Sequence, residues 1–142
     1  MIVIGQDTDT RSRGDDTVST PPFNTVAWFQ VGSDKPQEVE KFYGDLFGWS
    51  FAADPNADTY DLVSYPASEA PSGGISRTPD ASANHATFFV LVQDVAATVA
   101  AAEKLGGKVS VPPITGKDGL VFAHILDTSG NDFGIFSPPP QS

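Results

Sequence analysis

The sequence predicts an α+β fold built from two tandem β-α-β-β-β units, and three observations predict it. One is the stretch Thr25–Phe51, TVAWFQVGSDKPQEVEKFYGDLFGWSF, which reads as strand, turn, amphipathic helix and second strand. Another is the return of that plan in TFFVLVQDVAATVAAAEKLGGKVSV, with Asp34 and Asp94, and likewise Trp28 and Phe88, 60 residues apart. The third is that a unit of this size cannot bury its own sheet. Two units with their helices on one side leave the other faces to curl around a shared cleft. The expected repeats are 24–78 and 86–137, in one domain over 23–142 that follows a flexible arm at 1–22. The apolar MIVI at its start is a candidate extra strand edge.

The elements follow in order. Thr25–Val31 alternates as a strand. Ser33 or Asp34 suits a helix cap, and Pro36 its first turn. Val39, Phe42, Tyr43, Leu46 and Phe47 then fall on one stripe of a half-buried helix, which Gly48 ends. Strands are expected at Trp49–Ala53, Thr59–Tyr65 and Gly74–Thr78, with a turn cluster at Asp54–Asp58 and a linker at Pro79–Asn84. In the second unit a strand at Thr87–Val92 leads to Asp94 as helix cap. An alanine-rich helix over Val95–Leu105 follows, ended by Gly106-Gly107. Lys108–Val111 is the next strand, and Leu120–Leu126 with Asp132–Phe136 form a hairpin around Thr128–Asn131.

The 142 residues carry 18 acidic and 8 basic side chains, a net charge of −10. That balance repels nucleic-acid backbones and anionic membranes, so neither is an expected partner, and it favours a cationic or neutral ligand over an anionic one. The absence of cysteine excludes disulfides and thiolate metal sites. No apolar run reaches the length of a membrane span, and the first residues lack a signal-peptide pattern, so a cytoplasmic protein is expected.

Alternation assigns the strand faces. The side toward the helices must be apolar: Ala27, Phe29 and Val31 in the first strand, Phe89 and Leu91 in the fifth. In the seventh strand it is Val121, Ala123 and Ile125, and in the eighth Phe133 and Ile135. That leaves Trp28, Gln30, Phe88, Val90, Val92, Phe122, His124, Leu126 and Phe136 facing the cleft, with Asp132 and Gly134 beside them. For Thr59–Tyr65 both faces stay open: either Tyr60, Leu62 and Ser64 or Asp61, Val63 and Tyr65 point inward. His124 is the one candidate catalytic base, oriented by Asp132 across the hairpin. His85 is read as linker surface.

Three segments, FYGDLFGW at 42–49, DVAATVAAAEKLGGKV at 94–109 and LDTSGNDFGIF at 126–136, resemble in this order the vicinal oxygen chelate superfamily. That superfamily includes glyoxalases, bleomycin- and fosfomycin-resistance proteins and extradiol dioxygenases. The resemblance covers roughly residues 24–137. It implies a U-shaped mixed-sheet cup with the helices on its outer face, and commonly a homodimer, with the cup either within one chain or shared between two. It also implies that metal-using members place one ligand on the first and last strand of each unit. The matching positions here are Trp28, Phe88, Gly134 and the neighbourhood of Gly74–Ser76, none of them a ligand, so no metal and no cofactor is expected.

The expected function is metal-independent binding of a hydrophobic or aromatic, optionally cationic, small molecule in an aromatic-lined cup, in the manner of the bleomycin-resistance proteins. Two alternatives stay open. One is an enzyme of the lyase, isomerase or dioxygenase kind acting on a small metabolite. The other is a scaffold whose cup is filled by its own side chains.

Overall fold

A computed structural model describes residues 21–139. Most of the arm expected at 1–22, including MIVI, lies outside the described residues. The chain runs β1 (Thr25–Ser33), α1 (Pro36–Phe47), β2 (Ser50–Ala53), β3 (Tyr60–Ser64), β4 (Gly73–Arg77), β5 (His85–Leu91), α2 (Val95–Lys104), β6 (Lys108–Thr115), β7 (Val121–Leu126) and β8 (Asp132–Ser137). A short 3₁₀ turn, Ala81–Ala83, occupies the linker between the units.

All eight strands form one open mixed sheet in the order β2-β3-β4-β1-β5-β8-β7-β6. Each half repeats the other's topology. β1 lies parallel to β4 and β5 parallel to β8, while the remaining neighbours within each half are antiparallel. The halves join where β1 and β5 pair antiparallel. The sheet therefore turns one continuous face toward both helices and leaves the other for a cavity. β6 runs further than the sequence suggests, through Pro112 and Pro113, and its pairing with β7 slips twice. An edge strand tolerates proline because one side of its backbone needs no ladder partner.

On the helix side of the second unit, Val92, Val95, Ala123, Ile125 and Ile135 form a buried cluster, with Val99, Ala102 and Phe133 packed against it. Asp94 caps α2, its Oδ1 accepting the Ala97 backbone N–H at 2.9 Å. In the first unit Val63 and Ile75 are fully buried. Around them Phe29, Tyr43, Phe47, Trp49 and Tyr65 stack with ring centroids 5.1–6.3 Å apart.

Helix α1 starts at Pro36 and ends at a left-handed Gly48, as expected, but departs from expectation in its N-cap and its burial. Its N-cap is Lys35, with no side-chain cap; Ser33 Oγ instead accepts the Lys35 N–H at 3.0 Å, and Asp34 pairs with Asn84 of the linker. Of the predicted stripe, Val39 and Tyr43 are half-buried. Phe42, Leu46 and Phe47 remain 59%, 58% and 51% exposed. The helix meets the sheet along a narrower line than its apolar residues cover.

That contact line carries Glu40, whose Oε2 is buried without a hydrogen-bond partner. Burial, then the adjacent Asp61 carboxyl of β3, pushes Glu40 up to about 7 from the ordinary value of 4.5. Between those values the folded chain binds more protons than the unfolded chain, so stability falls as pH rises through that window. Glu40→Gln is expected to remove this slope and to raise Tm at pH 8 by about 2–4 °C. That corresponds to no more than about 1 kcal/mol once solvent screening of a half-exposed group is counted. Thermal melts of both proteins across pH 5–8 check it.

Candidate functional site

The side of the sheet away from the helices encloses a cavity of about 500 Å³ drawn from both repeats. β1 supplies Trp28 and Gln30, β3 supplies Tyr60 and Leu62, and β4 supplies Ser76. From the second repeat come Phe89 of β5, Phe122 and His124 of β7 and Phe136 of β8. Two loops complete the wall: Asp54, Asn56 and Ala57 between β2 and β3, and Gly116, Asp118 and Leu120 between β6 and β7. Both repeats of the one chain thus contribute to its walls. The third strand's ambiguity also closes: Tyr60 and Leu62 face the cavity, and Val63 is fully buried on the opposite face of the strand.

Five of the residues expected to face the cleft, Trp28, Gln30, Phe122, His124 and Phe136, come together here. Phe88, Val90, Val92 and Leu126 do not. Phe88 stacks on Phe133 at 5.7 Å and is 44% exposed, Val90 packs against the helix-side cluster, and Val92 lies within it. Leu126, the last residue of β7, pairs with Asp132 at the end of the strand. Phe89, expected under the helices, is the cavity residue of β5. The reason is a bulge in β1. Val26 pairs with Val90, but Trp28 pairs with Phe89, so Ala27 is the extra residue and the facing changes parity. The 60-residue spacing that equates Trp28 with Phe88 therefore fails in these two strands. The uninterrupted apolar run Phe88–Val92 offers no alternation that would reveal it.

Two glycines shape the floor. A side chain at Gly74 would occupy the space of the Tyr60 ring, and one at Gly134 that of the Phe89 ring. Each aromatic ring lies against a bare stretch of the neighbouring strand, and these strands are the last of each repeat.

The polar groups are few and held in place. Trp28 Nε1 donates to Tyr60 Oη at 2.9 Å. Burial pushes the Tyr60 phenol up to about 12, although the indole bond pulls the other way and the Asp54 charge adds to the rise. Tyr60 is therefore a neutral hydroxyl, and its own proton has no acceptor among the described residues. His124 Nδ1 lies 3.1 Å from Asp132 Oδ1, and Asp132 Oδ2 accepts from Ser110 Oγ at 2.9 Å. A carboxylate only accepts, so the neutral imidazole carries its proton on Nδ1 and keeps Nε2 free as an acceptor. The His124 ring is edge-on to Phe89 and Phe122, at 5.2 and 6.2 Å.

His85 lies at the surface, as expected, but belongs to a strand and not to the linker. It opens β5, its ring covers Gly32, and its Nδ1 is 3.0 Å from the Ala83 carbonyl. That carbonyl fixes the proton on Nδ1 of the neutral ring, so Nε2 accepts from the Gln30 amide at 3.0 Å. Gln30 is thereby oriented with its own carbonyl oxygen left over. His85 and His124 also line a second, more open hollow of about 780 Å³ beside Phe88 and the β7–β8 turn. Tyr60, Asp54, Asp118 and Phe89 were not singled out from sequence. Tyr60 lay in the undecided strand and Phe89 on the misassigned one, and no local pattern marks the two loop carboxylates.

A single sheet folded around a half-open cavity, with two β-α-β-β-β repeats meeting at their first strands, defines a tandem-repeat cup protein. Residues 25–135 match the model of the Glyoxalase/Bleomycin resistance protein/Dioxygenase superfamily, and the chain belongs to that family. A glyoxylase-like domain-containing protein of Didymella fabae is 29% identical over 120 residues, covering 80% of this chain and 94% of that one. The Mycobacterium bovis protein CFP32 is 29% identical over 118 residues, of which this chain spans 45% of the length. Among solved structures, methylmalonyl-CoA epimerase from Mycobacterium tuberculosis aligns with a TM-score of 0.61 at 15% identity, over 88% of this chain and 95% of that one. A Mn(II)-bound glyoxalase from Novosphingobium aromaticivorans aligns at 0.58 and 16% identity, over 84% and 42%. These two likenesses concern the fold.

The metal that the family resemblance implies does not fit the residues present. Facing the cavity on the first and last strands of the repeats are an indole at Trp28, phenyl rings at Phe89 and Phe136, glycines at 74 and 134, and the side chains of Gln30 and Ser76. Among the described residues no three His, Asp or Glu side chains gather where an ion could be held. A divalent cation needs several converging oxygen or nitrogen donors, and the rings of Tyr60 and Phe89 lie over the two glycines. No helix among the described residues is long and apolar enough to cross a membrane.

Proposed function

We propose that the chain binds a flat, largely apolar small molecule in the cavity between its repeats, by burial and ring stacking and without a metal. The observation that carries this reading is the wall itself. Trp28, Tyr60, Phe89, Phe122 and Phe136 surround about 500 Å³, a volume in the ordinary range for small-ligand sites. The polar groups are sparse and oriented, which suits selecting a ligand's orientation. Asp54 and Asp118 add negative charge, and no Lys or Arg among the described residues lines the space, so a neutral or cationic molecule is favoured over an anion.

A thermal-shift screen of neutral, cationic and anionic bicyclic aromatics tests it. Binding to the folded state at a hundredfold excess over Kd adds about 2.7 kcal/mol and raises Tm by several degrees. Neutral and cationic compounds are expected to shift Tm, and their anionic analogues to shift it less. Uniformly flat melts would sink the reading and favour a cup that only fills itself.

A further inference from the structure

We propose that the second hollow, outside the cup, is a binding site for a guanidinium group, which stacks on the Phe88 ring and donates to the carboxylates of Asp127 and Asp132. The site is separate from the cup and stands independently of what the cup binds. The hollow measures about 780 Å³ and lies between the start of β5 and the β7–β8 turn, with Ala83 of the linker also lining it. Its aromatic wall is Phe88 with Phe133. Their planes are 23° apart and their centroids 5.7 Å, so one face of Phe88 is covered, yet the residue stays 44% exposed. A ring fixed on one side and open on the other is a platform for a flat partner.

The polar wall has acceptors to spare, while its side-chain donors are committed to the protein. Thr87 Oγ1 donates to the Asp132 carbonyl at 2.8 Å. His85 and His124 donate through Nδ1 to the Ala83 carbonyl and the Asp132 carboxylate. The Asn131 amide donates to both Asp127 oxygens, at 3.1 and 3.4 Å. Backbone and side-chain N–H groups of Asn131 hold the Asp127 carboxyl below the usual carboxylate range, so it is charged at neutral pH. The Asp132 side chain is 50% exposed, and each of its oxygens keeps a lone pair beyond those that His124 and Ser110 use. No Lys or Arg among the described residues lines the hollow. An anion or a neutral acceptor therefore finds no side-chain donor to meet it. A guanidinium brings a planar fork of donors, pairs bidentately with carboxylates and stacks on rings, and it sheds water more readily than an ammonium. Ala86 and Val111 supply apolar wall for the stem that carries it. That chemistry is shared by a small guanidino compound and an arginine side chain.

The probe is butylguanidinium, titrated calorimetrically at pH 7 in about 20 mM salt, where surface charge is weakly screened. Butylurea, its neutral counterpart of nearly the same shape, is the control. Butylguanidinium is expected to bind saturably, one per chain, with Kd of about 1 mM or tighter, and butylurea at least about tenfold more weakly. Asp132→Asn should weaken the cation about tenfold and Phe88→Ala about fivefold, with thermal melts showing both variants folded. Trp28→Ala, a change in the cup, should leave the titration unaltered, as should saturation with β-tetralone, a neutral bicyclic ketone. N-acetylarginine methylamide distinguishes the sources. Tighter binding than butylguanidinium assigns the site to a protein arginine, weaker binding to a small guanidino compound, and either order supports the site. No heat up to about 10 mM, equal binding of butylurea, or unchanged affinity in both Asp132→Asn and Phe88→Ala overturns the proposal. Loss of binding in Trp28→Ala, or displacement by β-tetralone, puts the cation in the cup. It overturns this second site and leaves the reading of the cup standing.

Discussion

Trp28→Ala is expected to weaken binding of a bicyclic aromatic such as β-tetralone by roughly 30- to 150-fold, a loss of about 2–3 kcal/mol. The indole has two jobs. Its face is part of the wall, so truncation removes stacking and burial together. Its Nε1–H also holds Tyr60 Oη at 2.9 Å, so truncation frees a hydroxyl on the cavity wall. Trp28→Phe separates the contributions. It keeps a ring and loses the hydrogen bond, and should cost only about 1 kcal/mol. Isothermal titration of the three proteins checks the order. Equal affinity in Trp28→Ala would mean that the ligand sits elsewhere.

Gly134→Ala is expected to destabilise the fold by about 2–3 kcal/mol, a fall in Tm of roughly 5–10 °C. The new methyl would enter the space of the Phe89 ring. That ring is only 6% exposed and packs against the His124 and Phe136 rings, so the cavity is the one space into which it can yield. It would be driven into the cavity, and binding should fall with stability. Gly74→Ala makes the same conflict with Tyr60, a less buried ring than Phe89. It should cost less stability but disturb the Trp28 bond more directly. Thermal melts with and without ligand distinguish the two.

Much of this architecture is local, and so it can be read along the chain. The two β-α-β-β-β units, the Asp94 cap, the Gly48 helix end and the inward faces of β1, β7 and β8 each follow from period, cap or turn chemistry within a few residues. What the sequence hides is what depends on pairing. The bulge at Ala27 exists only in the register between β1 and β5, and it decides that Phe89 rather than Phe88 enters the cavity. The facing of β3 depends on the burial of Val63 on the side away from the cavity, since Tyr60-Asp61-Leu62-Val63 mixes polar and apolar residues on both faces. The exposure of Phe42, Leu46 and Phe47 depends on how closely α1 lies on the sheet, which periodicity does not encode. The Trp28–Tyr60 and His124–Asp132 bonds differ in the same way. The second spans a hairpin and was anticipated, whereas the first joins residues 32 apart and was not.

One measurement bears on the central claim, that the cup is a ligand cavity that binds by stacking and burial. Trp28 and Trp49 are the two indoles of the chain. Trp49→Phe keeps an aromatic ring in the helix-side cluster and leaves Trp28 as the sole reporter inside the cavity. Titrating β-tetralone into that variant should quench the indole emission saturably, at one ligand per chain, with the same curve in the presence and absence of EDTA. Emission that never saturates, or a signal that disappears with the chelator, would contradict the account.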